Sequence, residues 1–291
     1  MNRKNTIPIV KMSGSGNLFV LVDNRAGLLR ANLSSCARKV CRDERVDGLL
    51  VVEAGAGNEN GAFQMHFFNP DGSEPGMCGN GARCVAYFAV SELKLPARGL
   101  VFNVVNSRGS VQADVRLKGH EVSISRLPEP TGYQAHVLEP LAVGLPKGVE
   151  ISFMDSGVPH TVVWGLKPEA VEVERIGRRI REHNAFKPGG TNVNFAAVRN
   201  RRTLFMRTYE RGVERETGAC GTGAIATAVI AALEGRVESF GPGQNFQLTA
   251  ETRLGEELQV KFELDRAGRT ARQVSLTGRV QVLERKEIGV C

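Results

Sequence analysis

Apolar and polar positions along this chain form short alternating or continuous runs broken by glycine turns, and the order of the runs repeats. Ile7 to Val22 reads as a strand, a turn over Ser13-Gly14-Ser15-Gly16-Asn17, and a second strand from Leu18 to Val22. Residues 34–45 read as a helix, and Gly48 to Glu53 as a buried strand. Gln64 to Asn69 predicts a strand entering the Asp71-Gly72-Ser73 turn, then a helix, then strands at 100–105, 111–115 and 121–125. Pro128-Glu-Pro130-Thr-Gly132 has the composition of a boundary. Beyond it, Ser152 to Val163 is again strand, turn, strand around Gly157-Val-Pro-His160. Val173, Ile176 and Ile180 stripe a helix, Thr203 to Tyr209 alternates as a strand, and Glu210-Arg211-Gly212 leads into another helix. Gln273 to Leu283 reads as a final strand that returns to the first half.

The repeat is sharpest where each half begins a helix. Gly76-Met-Cys78-Gly-Asn-Gly-Ala-Arg-Cys-Val-Ala86 is matched by Gly218-Ala-Cys220-Gly-Thr-Gly-Ala-Ile-Ala-Thr-Ala228 at an offset of 142 residues, with Glu74 falling on Glu216. Gly14 and Asn17 meet Gly157 and His160 at an offset of 143, so more than one motif is repeated. Two equivalent halves would bring two equivalent thiols face to face across one cleft. Opposed thiols are what a cofactor-free racemase needs, one taking a proton from carbon and the other returning one to the opposite face.

Composition is consistent with this reading. The 291 residues suit two domains of about 100–150 residues. The run from Ala224 to Leu233 falls well short of the roughly 20 residues that cross a bilayer, and its apolar character on all sides predicts a helix buried throughout. The opening Met1-Asn-Arg-Lys-Asn-Thr-Ile-Pro has no apolar core of a secretory signal, and six cysteines without CxxC pairs suggest free thiols in a reducing cytoplasm. Net charge is +7, with basic clusters at 178–181 and 199–202. No recognition motif or interleaved aromatics accompany them, so they read as solvated surface rather than a nucleic-acid site. No membrane partner is expected, and edge strands leave a homodimer open.

Each cysteine segment has a physical rationale. A Gly-x-Gly stretch opening a helix leaves backbone N–H groups bare for an anion, and the helix dipole adds about half a positive charge there. The same field favours thiolate over thiol. Burial alone would give no reason to repeat Cys-Gly-x-Gly. Cys84 reads as packed within its helix, and Cys36 and Cys41 as residues of a surface helix; Cys291 ends the chain. None of these has the ligand spacing of a zinc site. His160 stands either as a structural histidine or as part of the cleft. Glu210-Arg211 reads as a clamp, Arg211 gripping a carboxylate bidentately.

The chain resembles diaminopimelate epimerases over essentially its whole length. The resemblance rests on Lys11-Met-Ser-Gly-Ser-Gly-Asn17-Leu-Phe, Asp47-Gly48-Leu-Leu-Val-Val, Phe68-Asn69-Pro-Asp-Gly-Ser-Glu74 and the two cysteine segments. It extends to Gly157-Val-Pro-His160, Gly190-Thr-Asn192-Val-Asn and Tyr209-Glu-Arg-Gly212. It implies an α/β (α+β) fold of two pseudo-symmetric domains, each a barrel-like sheet around a central helix, with the active site in the cleft between them. The halves would be 1–130, completed by about 274–291, and 131–273. It also implies interconversion of LL- and meso-diaminopimelate without a cofactor or metal. On the matching motifs Cys78 and Cys220 become the acid/base thiols. Asn17, Asn80 and Thr222, with the backbone of Gly79 and Gly221, would surround the reacting centre. Asn69, Asn192, Glu210 and Arg211 would hold the distal amino-acid end, and His160 and Glu210 would support the site.

Some positions depart from the family pattern. Leu18 replaces an aspartate, Asp43-Glu44-Arg45-Val46 replaces a glycine-rich lead, and Val158 stands where many members place asparagine before Pro-His. The segment from Glu210 to Cys220 is one residue longer than the commonest form. Another amino-acid racemase on the same scaffold, such as a histidine racemase, is therefore an alternative. A thiol redox or metal-binding protein is the competing class.

Overall fold

The structure is a computed structural model describing residues 6–29, 32–55, 63–107, 109–240 and 243–289. The chain divides into two compact units, one of residues 1–126 with 278–291 and one of residues 127–277.

The first unit contains strands β1 (Thr6–Gly14), β2 (Asn17–Asp23), β3 (Gly48–Ala54), β4 (Phe63–Phe68), β5 (Leu100–Val104), β6 (Ser110–Arg116) and β7 (Glu121–Ser125). Its helices are α1 (Leu33–Glu44) and α2 (Gly79–Ser91). The strands pair in sequence order, and the last part of a long C-terminal strand pairs with both β7 and β1, closing an eight-stranded barrel. α2 runs inside it against β1, β2, β3, β4, β6 and β7, and every residue from Gly79 to Val90 is buried. α1 lies outside on β2 and β3. Strands β2 and β3 are thus covered on both faces, which is why Phe19-Val-Leu-Val22 and Leu49-Leu-Val-Val52 are unbroken apolar runs rather than alternating ones.

The second unit repeats the plan. It has β8 (Thr131–Gln134), β9 (Glu150–Asp155), β10 (Pro159–Trp164), α3 (Val173–Arg181), β11 (Asn192–Asn200), β12 (Thr203–Glu210) and β13 (Arg215–Thr217). Then come α4 (Gly221–Leu233), β14 (Asn245–Thr252), β15 (Glu257–Asp265) and the start of β16 (Thr270–Gly289). The sheet order is β16-β15-β14-β12-β11-β10-β9-β8, with β13 added on β12. At the two ends of this order, the Thr270 hydroxyl donates to the Pro130 carbonyl. α4 packs against β9, β10, β11, β12, β14 and β15 and is buried from Gly221 to Ala232. Its five alanines keep it slim enough for a sheet interior, while Ile225, Val229 and Ile230 each contribute about 1.5–3 kcal/mol by burial. α3 lies outside on β11 and β12 and buries Val173, Ile176 and Ile180 with Val193, Phe195 and Tyr209.

Most predicted elements are present within a residue or two, including the return of the final strand to β1. β8, β11, β13, β14 and β15 are additions. β15 turns Leu258, Val260, Phe262 and Leu264 inward, so its signal is present in the sequence as strict alternation.

One expectation for the cysteines outside the repeat needs correction. Cys36 and Cys41 do lie in a surface helix, with Ala37 and Val40 on the face of α1 that packs on the barrel. The six thiols are not all free, however: Cys36 is disulfide-bonded. Cys84 is packed as expected, and burial pushes its thiol up to about 12, as it does that of Cys41. Cys291 lies outside the described residues. Among the described residues no helix is long and apolar enough to cross a membrane.

Candidate active site

Each cysteine of the repeat is the N-cap of its unit's inner helix. Cys78 has φ −130° and ψ 102°, and its sulfur accepts from the Gly81 N–H at 3.3 Å. Cys220 has φ −124° and ψ 114°, and its sulfur accepts from the Gly223 N–H at 3.4 Å. Both backbones sit in the extended region that an N-cap requires, with the sulfur taking the place of a serine or aspartate oxygen. Each sulfur therefore meets the positive end of a 13-residue helix, a setting that favours negative charge on it. The third residue after each cysteine is glycine for a reason of space. A Cβ on Gly81 would lie 2.8 Å from Leu50 Cδ2, and one on Gly223 would lie 2.4 Å from Asn194 Oδ1.

In the first unit a buried polar chain stands behind Cys78. Asn80 Nδ2 donates to Asn17 Oδ1 at 2.6 Å, and Asn80 Oδ1 accepts from Arg83 Nη2 at 2.8 Å. The same Arg83 nitrogen also donates to Ser15 Oγ at 2.9 Å. Asn17 Nδ2 and the Leu18 N–H both donate to Asp47 Oδ2, at 3.4 and 2.9 Å. Asn17 and Asn80 are thus brought together beside the cap, with Gly79 opening the helix. Asn69 lies in the turn after β4, where its Nδ2 donates to Ser73 Oγ.

The second unit has a different polar chain. His160 Nε2 is 2.9 Å from Thr222 Oγ1, which is 3.5 Å from Cys220 Sγ. His160 Nδ1 is 2.9 Å from Asn194 Nδ2. Burial, and secondarily the Arg211 guanidinium, push the His160 pKa down to about 3, so the ring is neutral. Of the four residues expected at the distal end, Asn192, Glu210 and Arg211 lie in the second unit, and Asn69 lies in the first. Asn192 Oδ1 accepts from the Arg211 N–H at 2.9 Å, and its Nδ2 donates to the Pro159 carbonyl at 3.0 Å. Arg211 Nη1 donates to the Gly189 carbonyl at 3.0 Å, and Glu210 Oε1 accepts from the Thr217 hydroxyl at 2.5 Å. The repeat-related carboxylates just upstream of the caps are held differently. Glu74 meets His66 Nδ1 at 2.6 Å, and Glu216 takes both forks of Arg207 at 2.7 Å.

Ser15, Asp47, Arg83 and Asn194 belong to these chains, as does Thr208, whose hydroxyl donates to Asn194 Oδ1 at 2.9 Å; none of them had been assigned a role from the sequence. Ser15, Asp47, Arg83 and Asn194 lie inside motifs already quoted, so polar residues at buried strand and helix positions were the available signal. Among the described residues, no cluster of three or more His, Cys, Asp or Glu has the arrangement to hold a metal ion.

The diaminopimelate epimerase family model matches residues 9–127 and 152–282. The chain is 38% identical over 285 residues to the diaminopimelate epimerase of Aquifex aeolicus (strain VF5), covering 93% of each chain. It is 36% identical over 270 residues to that of Hydrogenobaculum sp. (strain Y04AAS1), covering 89% of this chain and 92% of the relative. Among solved structures, a phenazine biosynthesis protein of the PhzF family from Bacillus anthracis superposes with a TM-score of 0.75 at 16% identity, covering 97% of this chain and 99% of that one. A hydroxyproline epimerase from Agrobacterium vitis superposes with a TM-score of 0.67 at 15% identity, covering 99% and 94%. These two show a shared two-domain fold, and the sequence matches show more: the chain is an isomerase and belongs to the diaminopimelate epimerase family.

Proposed function

We propose that the chain epimerises LL-2,6-diaminopimelate to meso-diaminopimelate, with Cys78 and Cys220 as the two acid/base thiols. The observation that carries this reading is the duplicated cap, one cysteine sulfur in each unit held by the third backbone N–H of a buried helix. In each turnover one sulfur, as thiolate, removes the α-proton, and the other, as thiol, gives a proton to the opposite face of the same carbon. The two then have exchanged protonation states, so no cofactor is consumed and no redox change occurs. Asn17, Asn80 and Thr222, with Gly79 and Gly221, orient the reacting amino acid, and the neutral His160 supports them. The helix N-termini hold the α-carboxylate and stabilise charge as the proton leaves. Asn69, Asn192, Glu210 and Arg211 take the distal amino-acid end, where a planar guanidinium matches a second carboxylate.

The test is epimerisation by Cys78→Ala and Cys220→Ala, read with α-proton exchange in deuterated water. Each variant should lose roughly 10²- to 10⁴-fold in turnover, the usual share of a general acid or base. Near wild-type epimerisation by either variant would sink the two-thiol assignment. Turnover of lysine or histidine comparable with diaminopimelate would instead overturn the substrate while leaving the thiol pair intact.

A further inference from the structure

The polar chain behind Cys220 has a direction, and one residue sets it. Asn194 is fully buried on β11. Its Nδ2 lies 3.3 Å from the Thr161 carbonyl, which can only accept, and its Oδ1 accepts from the Thr208 hydroxyl at 2.9 Å. The amide is therefore fixed with its NH₂ toward both Thr161 and His160. An amide nitrogen only donates, so His160 Nδ1 must accept at 2.9 Å and carries no proton. A neutral imidazole then bears its proton on Nε2, and burial keeps this ring neutral. Nε2–H donates to Thr222 Oγ1 at 2.9 Å, which leaves the single Thr222 hydroxyl hydrogen for Cys220 Sγ at 3.5 Å.

The opposite tautomer would reverse every bond in this chain. Thr222 would donate to the imidazole, and Cys220 would have to act as the donor, which only the protonated thiol can do. The geometry assigns to Asn194 a positioning role: it fixes the His160 tautomer so that Thr222 offers its O–H to Cys220 and favours the thiolate there. The inference rests on Cys220 being one of the two acid/base thiols.

In the first unit the corresponding positions carry different groups. At the repeat position of Thr222 stands Asn80, whose amide is engaged with Asn17 and Arg83. The space beside Gly81 is filled by the apolar ends of Leu50 and Met65, where Gly223 has Asn194. The two caps match, yet their polar support differs, so the two thiols are not interchangeable.

The test begins with the unmodified protein. In a two-bond ¹H–¹⁵N spectrum of the histidine rings, assigned by the loss of signals in His160→Gln, the His160 proton should reside on Nε2 with Nδ1 bare. A proton on Nδ1 would overturn the proposal whatever any variant does. Asn194→Asp places an acceptor against Nδ1 and should move the proton there. With the tautomer reversed, kcat should fall roughly 10- to 100-fold in both reaction directions, as for the loss of one hydrogen bond to a charged group, while KM stays within about twofold. A reversed tautomer with kcat unchanged, or a loss carried by KM alone, would overturn the proposal. Should the tautomer be as stated while Cys220→Ala still epimerises, the thiol assignment fails and the hydrogen-bond chain stands.

Discussion

One methyl group added at each of the two repeat-related glycines should have unequal effects, because identical caps are packed against different neighbours. In Gly223→Ala the new Cβ falls 2.4 Å from Asn194 Oδ1 and 3.2 Å from Cys220 Cβ. That oxygen cannot swing aside freely, since Asn194 is tied to Thr208, His160 and Thr161. Clearing the methyl breaks the Thr208 and His160 hydrogen bonds in a buried setting, at about 1–3 kcal/mol each. The better helix propensity of alanine returns at most about 1 kcal/mol. The net loss is about 3 kcal/mol, or roughly 6–12 °C in the melting transition of a unit of this size. In Gly81→Ala the Cβ falls 2.8 Å from Leu50 Cδ2 and 3.3 Å from Met65 Cε, the mobile ends of apolar side chains. Their adjustment costs about 1 kcal/mol, which the propensity gain offsets, so the melt should shift by less than about 3 °C. Thermal unfolding followed by calorimetry reads both. Equal shifts, or a larger one for Gly81→Ala, would refute the argument that polar packing separates the two caps.

Two further outcomes follow from buried titrating groups. His160 has its pKa pushed from 6.5 to about 3, so below pH 6.5 the unfolded chain binds a proton that the folded one refuses. Stability should therefore fall as pH drops from 6.5 toward 3, by up to about 1.4 kcal/mol per pH unit, and His160→Gln should flatten this limb in urea titrations. An unchanged acid slope in the variant would count against a neutral buried ring. Cys84 is raised from 9.0 to about 12 by burial, so its contribution is intact below pH 9 and is lost as pH rises toward 12, again by up to about 1.4 kcal/mol per unit. Cys84→Ala should soften the alkaline limb; identical limbs would show that the thiol titrates as freely in the folded protein as in the unfolded one.

The parts of the site set by local chemistry were legible from the sequence. A cysteine followed by Gly-x-Gly can cap a helix with atoms only three residues away, and both cysteines do so. The nearly unbroken apolar run from Ala224 also predicts a fully buried helix, because its one polar residue, Thr227, leaves no face to offer water. α1 is the surface helix its spacing predicts, yet the burial of its two cysteines is hard to see in the pattern. Its outer face carries Lys39, Arg42 and Asp43, while Cys36, Ala37, Val40 and Cys41 make a narrow stripe of small residues that looks weakly hydrophobic. Only its contact with Val20, Val22, Leu49 and Val51 shows how completely that stripe is covered.

The sequence by itself determined the duplication, the two caps and the family, because each is written in residues close together along the chain. The tertiary structure decided which polar groups support each cap. Asp47 reaches Asn17 across 30 positions, Arg83 reaches Ser15 across 68, and Asn194 reaches His160 across 34. The meeting of Asn194 with His160 depends on strand register. β10 and β11 run parallel with His160 beside Asn192 and Val162 beside Asn194, so Asn192 and Asn194 project on the same side of the sheet. A slip of one residue would turn Asn194 away from the histidine and put an apolar side chain in its place. Side-chain direction alternates with a period of two along a strand, and register is set by how whole strands bury their apolar faces. That is a property of the assembled sheet, and no local motif encodes it.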